Sequence, residues 1–433
     1  MKGLLRPARG PLRGKLSVPG DKSIAHRALM FGALASSGKQ TITNVPFGDD
    51  VEATLDVLSL LGADVRFDDK NGVCSIQGPL RRPELSLPCR DSGTTMRLMA
   101  GVLAAAGVEG ELTADAGLAK RPMERIAAPL RLLGAHVETT EGHAPVTVRP
   151  GALHGIEWRS DVASAQVKSC ILLAALRAGG RTTVHEPTRS RDHTERLLAA
   201  MGVALDVQPG SVSLEGPQQL TGIDVIVPGD LSSAAFLIAA ALLVPGSEIE
   251  IPLVGLNPTR TGFLEALDAM GARLELAIEG SSGGEPHGSI VARGGQELRA
   301  LEARGELIVR AIDELPALFA LAAFAKGRSV FRDAGELRKK ESDRISAMAR
   351  GLRALGVACE ELEDGLAIEG DPDRVVPGGT SFDGAGDHRI VMALACVALR
   401  ASGDVEVEGV EAIGKSYPSF LEDLARLQKD ERN

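Results

Sequence analysis

The chain has 433 residues and a formal net charge of −10, with 44% hydrophobic and 24% charged residues. Its acidic balance excludes a general grip on nucleic acid or on an anionic membrane. Its 3% aromatics, with Trp158 and Tyr417 the only Trp and Tyr, exclude a stacking platform for single strands, and its length points to two or more domains.

The N-terminal stretch "MKGLLRPARGPLRGKLSV" lacks an apolar core of signal-peptide length. From Val18, "VPGDKSIAHRALMFGALA" reads as an apolar helix whose first turn is crowded by Lys22, Ser23, His26 and Arg27. Cations there oppose the helix dipole. A Gly turn, the β-like run "QTITNV" and a second, amphipathic helix ending "LSLLGADV" follow. The unit then recurs. Later first helices read "DSGTTMRLMAGVLAAAG", "SAQVKSCILLAALRAGG", "GDLSSAAFLIAAALLVPG", "DELPALFALAAFAKG" and "GDHRIVMALACVALRASG". Later second helices end "LRLLGAHV", "LAAMGVAL", "LDAMGARL" and "LRALGVAC", and the last closes the chain at "FLEDLARLQ". About six copies at a spacing of roughly 70 residues are too long for ordinary solenoid repeats and suit mixed α/β layers. The first helices are apolar all round, so they are expected inside. Three copies per domain give two similar domains, with the seam at Val227-Pro228-Gly229-Asp230, where "VPGD" repeats the motif at Val18.

Cys74, Cys89, Cys170, Cys359 and Cys396 are scattered without CxxC spacing and read as free thiols of a reducing compartment. No apolar run reaches membrane-spanning length, so a cytoplasmic protein is expected. Helix capping explains Asp230, Ser232 and Ser233. It does not explain Lys22, Arg27, Arg97 or His388-Arg389. Several helix N-termini converging on one place favour an anion, and Lys22 and Arg27 are expected to await a phosphate or carboxylate.

"ALASSGKQ" is not a nucleotide phosphate loop, because Ala33 stands at the first Gly position and Gln40 at the magnesium-binding Ser/Thr position. No GxGxxG follows a strand, no HExxH occurs and no His/Cys spacing suits zinc, so neither cofactor nor metal is expected. In "RKKESDRISAMARGLRALG", Lys340 and Arg344 are read one helical turn apart on one face, beside Glu341. A plain salt-bridged surface helix reads the same way. Asp313 heads the apolar helix of "AIDELPALFALAA", Arg121 precedes Pro122 at a helix entry, and Lys415 lies in the loop "GKSYPSF".

The ordered set "PGDKSIAHR", "DSGTTMR", "RPMERI", "SAQVKS", "SRDHTE", "KKESDR", "GDHRIVMA" and "GKSYPSF" closely resembles the 5-enolpyruvylshikimate-3-phosphate synthase family over nearly the whole chain. The resemblance implies an α/β fold of two similar domains, each of three βαβαββ-like repeats, the inside-out α/β barrel of enolpyruvyl transferases. It places one domain at 16–227 and the other at 1–15 plus 228–433, with ligands in the cleft between them. It implies transfer of the enolpyruvyl group of phosphoenolpyruvate to the 5-hydroxyl of shikimate-3-phosphate, without metal or cofactor, by a monomer with small-molecule substrates and no nucleic-acid or membrane partner. Carried over residue by residue, the shikimate-3-phosphate side is Lys22, Ser23, Arg27, Ser164, Ala165, Gln166, Arg191, Asp313 and Lys340. The phosphoenolpyruvate side is Lys22, Gly93, Arg121, Gln166, Arg344, Arg389 and Lys415. Asp313 is the expected base at the 5-hydroxyl and Glu341 the expected acid at C3, with a role for Lys22 overlapping either. The basic residues fall in both domains, so an empty cleft is expected to stand open and anions to close it.

One departure is Asp91 in "RDSGTTMR", where the family usually has Asn. A carboxylate near bound phosphate repels it unless an Arg pairs with it, so weaker phosphoenolpyruvate binding is expected. Gly93 is retained, which in the family goes with sensitivity to glyphosate. Two alternatives stand beside this reading. The sister transferase acting on UDP-N-acetylglucosamine usually carries a Cys in the loop that here reads "DAGLAKRP", without one. A non-catalytic anion-binding scaffold has no need of Asp313 and Glu341 beside Lys340.

Overall fold

The computed structural model describes residues 1–428. They form two compact units, the first comprising Gly20–Pro228 with Ser281–Glu285, the second comprising Met1–Pro19, Gly229–Gly280 and the chain from Pro286 onward. Among the described residues there are six small sheets, five of four strands and one of three.

One plan builds all six. In the repeat that starts at Leu87–Pro88, a lead strand is followed by the helix Gly93–Ala106 and by Gly110–Thr113, which pairs parallel to the lead. The helix Glu124–Leu132 and the hairpin His136–Thr140 and His143–Arg149 complete it, with the last strand inserted antiparallel beside Gly110–Thr113. A parallel pair needs a crossover long enough for a helix, while an antiparallel pair needs only a turn, so βαβαββ is the order such a sheet demands. Three repeats borrow a strand from elsewhere in the chain. Val225–Ile226 leads the first repeat beside Gln40–Thr43, and Arg13–Lys15 leads the fourth beside Glu248–Gly255. The sixth is closed by Lys2–Leu5, antiparallel to Val405–Glu408. Each borrowed segment is the edge strand of its sheet and covers the strand beside it.

The second helices stop where the sequence places Leu-Gly-Ala or its variants. Gly62, Gly134, Gly202, Gly271 and Gly356 all have positive φ, between 77° and 105°, a conformation that costs an L side chain but not glycine. The first helices are interior as expected. Every residue of Leu231–Leu243 is buried, and it packs with Leu315–Ala322 and His388–Ala398 in the second unit. In the first unit Gly93–Ala106 packs on Ala165–Ala175 so closely that a Cβ on Gly101 would lie 2.4 Å from the Cys170 carbonyl oxygen. Cys74, Cys89, Cys170 and Cys396 are free and buried, Cys359 free and half-buried. No helix among the described residues is long and apolar enough to cross a membrane.

The repeated "VPGD" places Asp21 and Asp230 alike. Each caps its helix, accepting from the N–H two residues on at 2.7 and 3.0 Å respectively. Capping is not the whole account of Asp230 and Ser232, contrary to the expectation from sequence. The buried Arg260 guanidinium donates to Asp230 at 3.0 Å, to Ser232 Oγ at 2.6 Å and to the fully buried Glu314 at 3.2 Å. The cap belongs to an ion cluster inside the second unit.

His26, the fifth residue of Lys22–Leu34, is also buried, with Nδ1 2.7 Å from Thr54 Oγ1. Burial pushes its pKa from 6.5 down to about 3. The unfolded chain therefore takes up a proton here near pH 6.5, whereas the folded chain resists until about pH 3. Stability present above pH 6.5 is lost as pH falls through that window. The substitution His26→Gln is expected to flatten the acid limb of the urea midpoint plotted against pH. An acid limb of equal slope in the variant would contradict this account.

Candidate active site in two clusters

In the first unit, three helix N-termini meet. Lys22 opens Lys22–Leu34, Gly93 opens Gly93–Ala106, and Ser164 caps Ala165–Ala175 by accepting from Val167 N–H at 3.5 Å. Hydroxyls stitch them together. His26 and Thr95 both meet Thr54 Oγ1, at 2.7 and 2.8 Å. Arg27 is buried, and its guanidinium donates to Thr194 Oγ1, to the Ser23 carbonyl and to Ser169 Oγ, each at 2.8 Å. No carboxylate of the described residues lies within ion-pair distance of it. Burial lowers its pKa to about 10, with Glu195 and Asp21 opposing and the neighbouring Arg191 adding to the fall; it stays a cation at neutral pH. Gln166 accepts from Arg97 at 2.6 Å and donates to Thr94 Oγ1 at 2.9 Å. A Cβ on Gly93 would sit 3.3 Å from an Arg97 nitrogen and 3.4 Å from an Arg121 nitrogen, so this glycine leaves backbone open beside two guanidinium groups. Lys22 Nζ meets Asp50 at 2.6 Å.

Asp91 faces the short helix Ala116–Ala119, where its Oδ1 accepts from Leu118 N–H at 2.8 Å. Among the described residues it has no Arg partner; the adjacent Arg90 pairs with Glu52 and Asp56 instead. Arg121 lies between Ala116–Ala119 and Glu124–Leu132, in a turn ahead of the second helix.

In the second unit, Arg344 is the centre. It is 1% exposed, yet three carboxylates surround it: Asp387 at 2.8 Å, Asp313 at 3.2 Å and Glu341 on Nη2. Burial alone would weaken its charge, but Glu341, Asp387 and Asp313 outweigh that and raise its pKa. Burial likewise disfavours charge on Asp387, and Arg344 overcomes it, holding the carboxyl below its usual range. His388 is pushed down to about 3 by burial and by Arg389, so it is neutral. Asp313 Oδ1 also lies 3.7 Å from Lys340 Nζ and 3.9 Å from Arg389 Nη1, and Arg389 donates to the Asp313 carbonyl. Lys415 Nζ reaches the Gly386 carbonyl at 3.4 Å, beside the N-terminus of His388–Ala398.

Two expectations from sequence are corrected here. Lys340 and Arg344 do not share a helical face. Residues Gly335–Lys339 form a 3₁₀ turn, and the helix begins only at Arg344, because Asp343 caps it by accepting from Ser346 N–H at 3.1 Å. Lys340 and Arg344 meet through Asp313 instead. Nor do all the cations wait unpaired for an anion: Lys22 holds Asp50, and Arg344 holds three carboxylates. A buried guanidinium without counter-charge costs several kcal/mol, so the protein's own acids compensate it. Arg27, by contrast, relies on neutral acceptors.

Sequence reasoning did not assign roles to Thr194, Ser169 or Asp387. All three lie inside the quoted motifs "SRDHTE", "SAQVKS" and "GDHRIVMA", so the motif edges were the available signal.

The sequence matches the family model of EPSP synthase (3-phosphoshikimate 1-carboxyvinyltransferase) over residues 7–424. The chain belongs to the EPSP synthase family. A relative from Geobacter sp. (strain M21), named 3-phosphoshikimate 1-carboxyvinyltransferase, is 46% identical over 423 residues, 96% of this chain and 97% of that protein. One of the same name from Bacillus subtilis (strain 168) is 43% identical, covering 96% and 98%. The solved structure of EPSP synthase from Acinetobacter baumannii superposes with a TM-score of 0.90 at 42% identity, covering 98% of each chain. The two repeat-built units are thus the EPSP synthase fold.

Proposed function

We propose that this chain, acting as a cytoplasmic monomer, transfers the enolpyruvyl group of phosphoenolpyruvate to the 5-hydroxyl of shikimate-3-phosphate and releases phosphate. Family membership supports it, and the observation that carries it is one guanidinium, Arg344, holding both Asp313 and Glu341. That arrangement keeps two proton-transfer groups together in a setting able to receive an anion.

In this reading Lys22, Ser23, Arg27, Ser164, Ala165, Gln166 and Arg191 receive shikimate-3-phosphate, with Asp313 and Lys340 at its hydroxyls. Arg27 uses three of its five N–H donors internally, and the rest remain for an oxyanion. Lys22, Gly93, Arg121, Gln166, Arg344, Arg389 and Lys415 receive phosphoenolpyruvate, whose negative charge displaces internal carboxylates from their cations. Asp313 takes the proton of the 5-hydroxyl as its oxygen bonds to C2, while Glu341 delivers a proton to C3. The tetrahedral adduct then returns that proton from C3 and expels phosphate, restoring the double bond. Charge-assisted hydrogen bonds of about 1.5–3 kcal/mol each supply the binding.

A coupled phosphate-release assay tests the reading. Release is expected only with both substrates present, and not when UDP-N-acetylglucosamine replaces shikimate-3-phosphate. Release with the sugar nucleotide alone as acceptor would overturn the assignment.

Two substitutions test the phosphoenolpyruvate side. The Asp91 carboxylate adds negative charge, whereas an amide oxygen would keep the bond from Leu118 N–H. Asp91→Asn is therefore expected to lower the KM for phosphoenolpyruvate, and an unchanged KM counts against that charge effect. Glyphosate is expected to inhibit the enzyme. A methyl at Gly93 would crowd Arg97 and Arg121, so Gly93→Ala should shift the inhibition curve to higher concentration; superimposed curves would dissociate Gly93 from the site.

A further inference from the structure

A buried charge cluster behind the first unit's helix N-termini has no part in the roles above. Lys168, one turn into Ala165–Ala175, is 3% exposed, and its ammonium lies 2.8 Å from Glu186 and 2.7 Å from Glu195, both carboxylates nearly as buried. Glu186 opens the loop of residues 186–191 between the strand Gly180–His185 and the helix His193–Ala200. Its other contacts close that loop: Ser190 donates to it through its hydroxyl, and Ser190 N–H lies 3.4 Å from Oε2. The next residue is Arg191, close enough to Arg27 to depress the charge on it. Glu195 sits beside Thr194, which holds Arg27 at 2.8 Å.

We propose that Lys168 is a positioning residue: by anchoring Glu186 it fixes the loop of residues 186–191 and so aims Arg191 at the anion bound beside Arg27. The inference rests on the reaction proposed above. Its physical basis is strict. A loop of this length has many conformations, and where it places the Arg191 backbone decides where the guanidinium can reach. A shared ammonium between two buried carboxylates is rigid because neither acid can leave without stranding charge. The same lysine belongs to the helix that carries Ser164 and Gln166, so loop and helix terminus keep one register.

Steady-state kinetics of the full chain test this, with both KM values and kcat measured. Ser190→Ala and Glu186→Gln are expected to raise the KM for shikimate-3-phosphate about five- to tenfold, the value of one or two lost hydrogen bonds, with kcat and the KM for phosphoenolpyruvate unchanged. In an Arg191→Ala background, Ser190→Ala should have no further effect, because its action passes through Arg191. Lys168→Met strands two buried acids and risks misfolding; Lys168→Arg, which keeps the charge, should retain most of the affinity. A rise in both KM values together, an undiminished effect in the Arg191→Ala background, or no rise at all overturns the inference while leaving the reaction assignment intact. Absence of phosphate release by the unsubstituted enzyme overturns the assignment and the inference with it.

Discussion

Asp313→Asn is expected to lower kcat about 10²–10⁴-fold, the range that a positioned general base contributes. The KM for phosphoenolpyruvate should not rise. Asparagine keeps the shape of the side chain but can neither accept the hydroxyl proton nor balance the surrounding cations. Arg344, Lys340 and Arg389 lie 3.2, 3.7 and 3.9 Å from Asp313 Oδ1, and with the charge removed they are freer to meet an incoming anion. A kcat within about tenfold of the parent would remove Asp313 from the role of base. Glu341→Gln is the matching variant. If turnover and its pH profile are unchanged, Glu341 is not the acid, and the neighbouring cations must polarise the double bond by charge alone.

Arg260→Met should destabilise the second unit by about 3–5 kcal/mol, the cost of removing one partner from a buried ion cluster. Arg260 is 3% exposed and Glu314 fully buried, and Glu314 Oε2 has no hydrogen-bond partner among the described residues. Losing the guanidinium leaves that carboxylate short of counter-charge in the interior. Because Glu314 adjoins Asp313, activity should fall alongside stability. The urea midpoint measures the effect, and a second change, Glu314→Gln, should recover part of it by removing the stranded charge. A loss below about 1 kcal/mol would place this cluster with ordinary surface ion pairs.

The repeat architecture was legible because it is written in local chemistry. Apolar helices, glycine stops and short β runs each act through neighbouring residues, so their recurrence in "LSLLGADV" and "LRLLGAHV" maps directly onto recurring turns. Lys22 and Arg389 were legible for the opposite reason: each stands where local rules disfavour it, Lys22 as the first and Arg389 as the second residue of its helix. A cation at a helix N-terminus needs a reason from outside the helix.

What those cations touch was not legible. Capping accounts for Ser232 and Asp230 locally, and nothing nearby in sequence announces Arg260, 30 residues from Asp230. The pairing of Lys340 with Arg344 through Asp313, rather than along one helix face, depended on where Asp343 chose to start the helix.

The sequence by itself determined the secondary-structure plan, the repeats, the family and which residues bear charge where charge is costly, since these follow from patterns within a few residues or from an ordered set of motifs. Only the tertiary structure decided the partners: Lys168 between Glu186 and Glu195, and Arg344 among Asp313, Glu341 and Asp387. Ion pairing in a dry interior depends on distances of a few ångströms between residues far apart in the chain, and those distances exist only once the chain has folded.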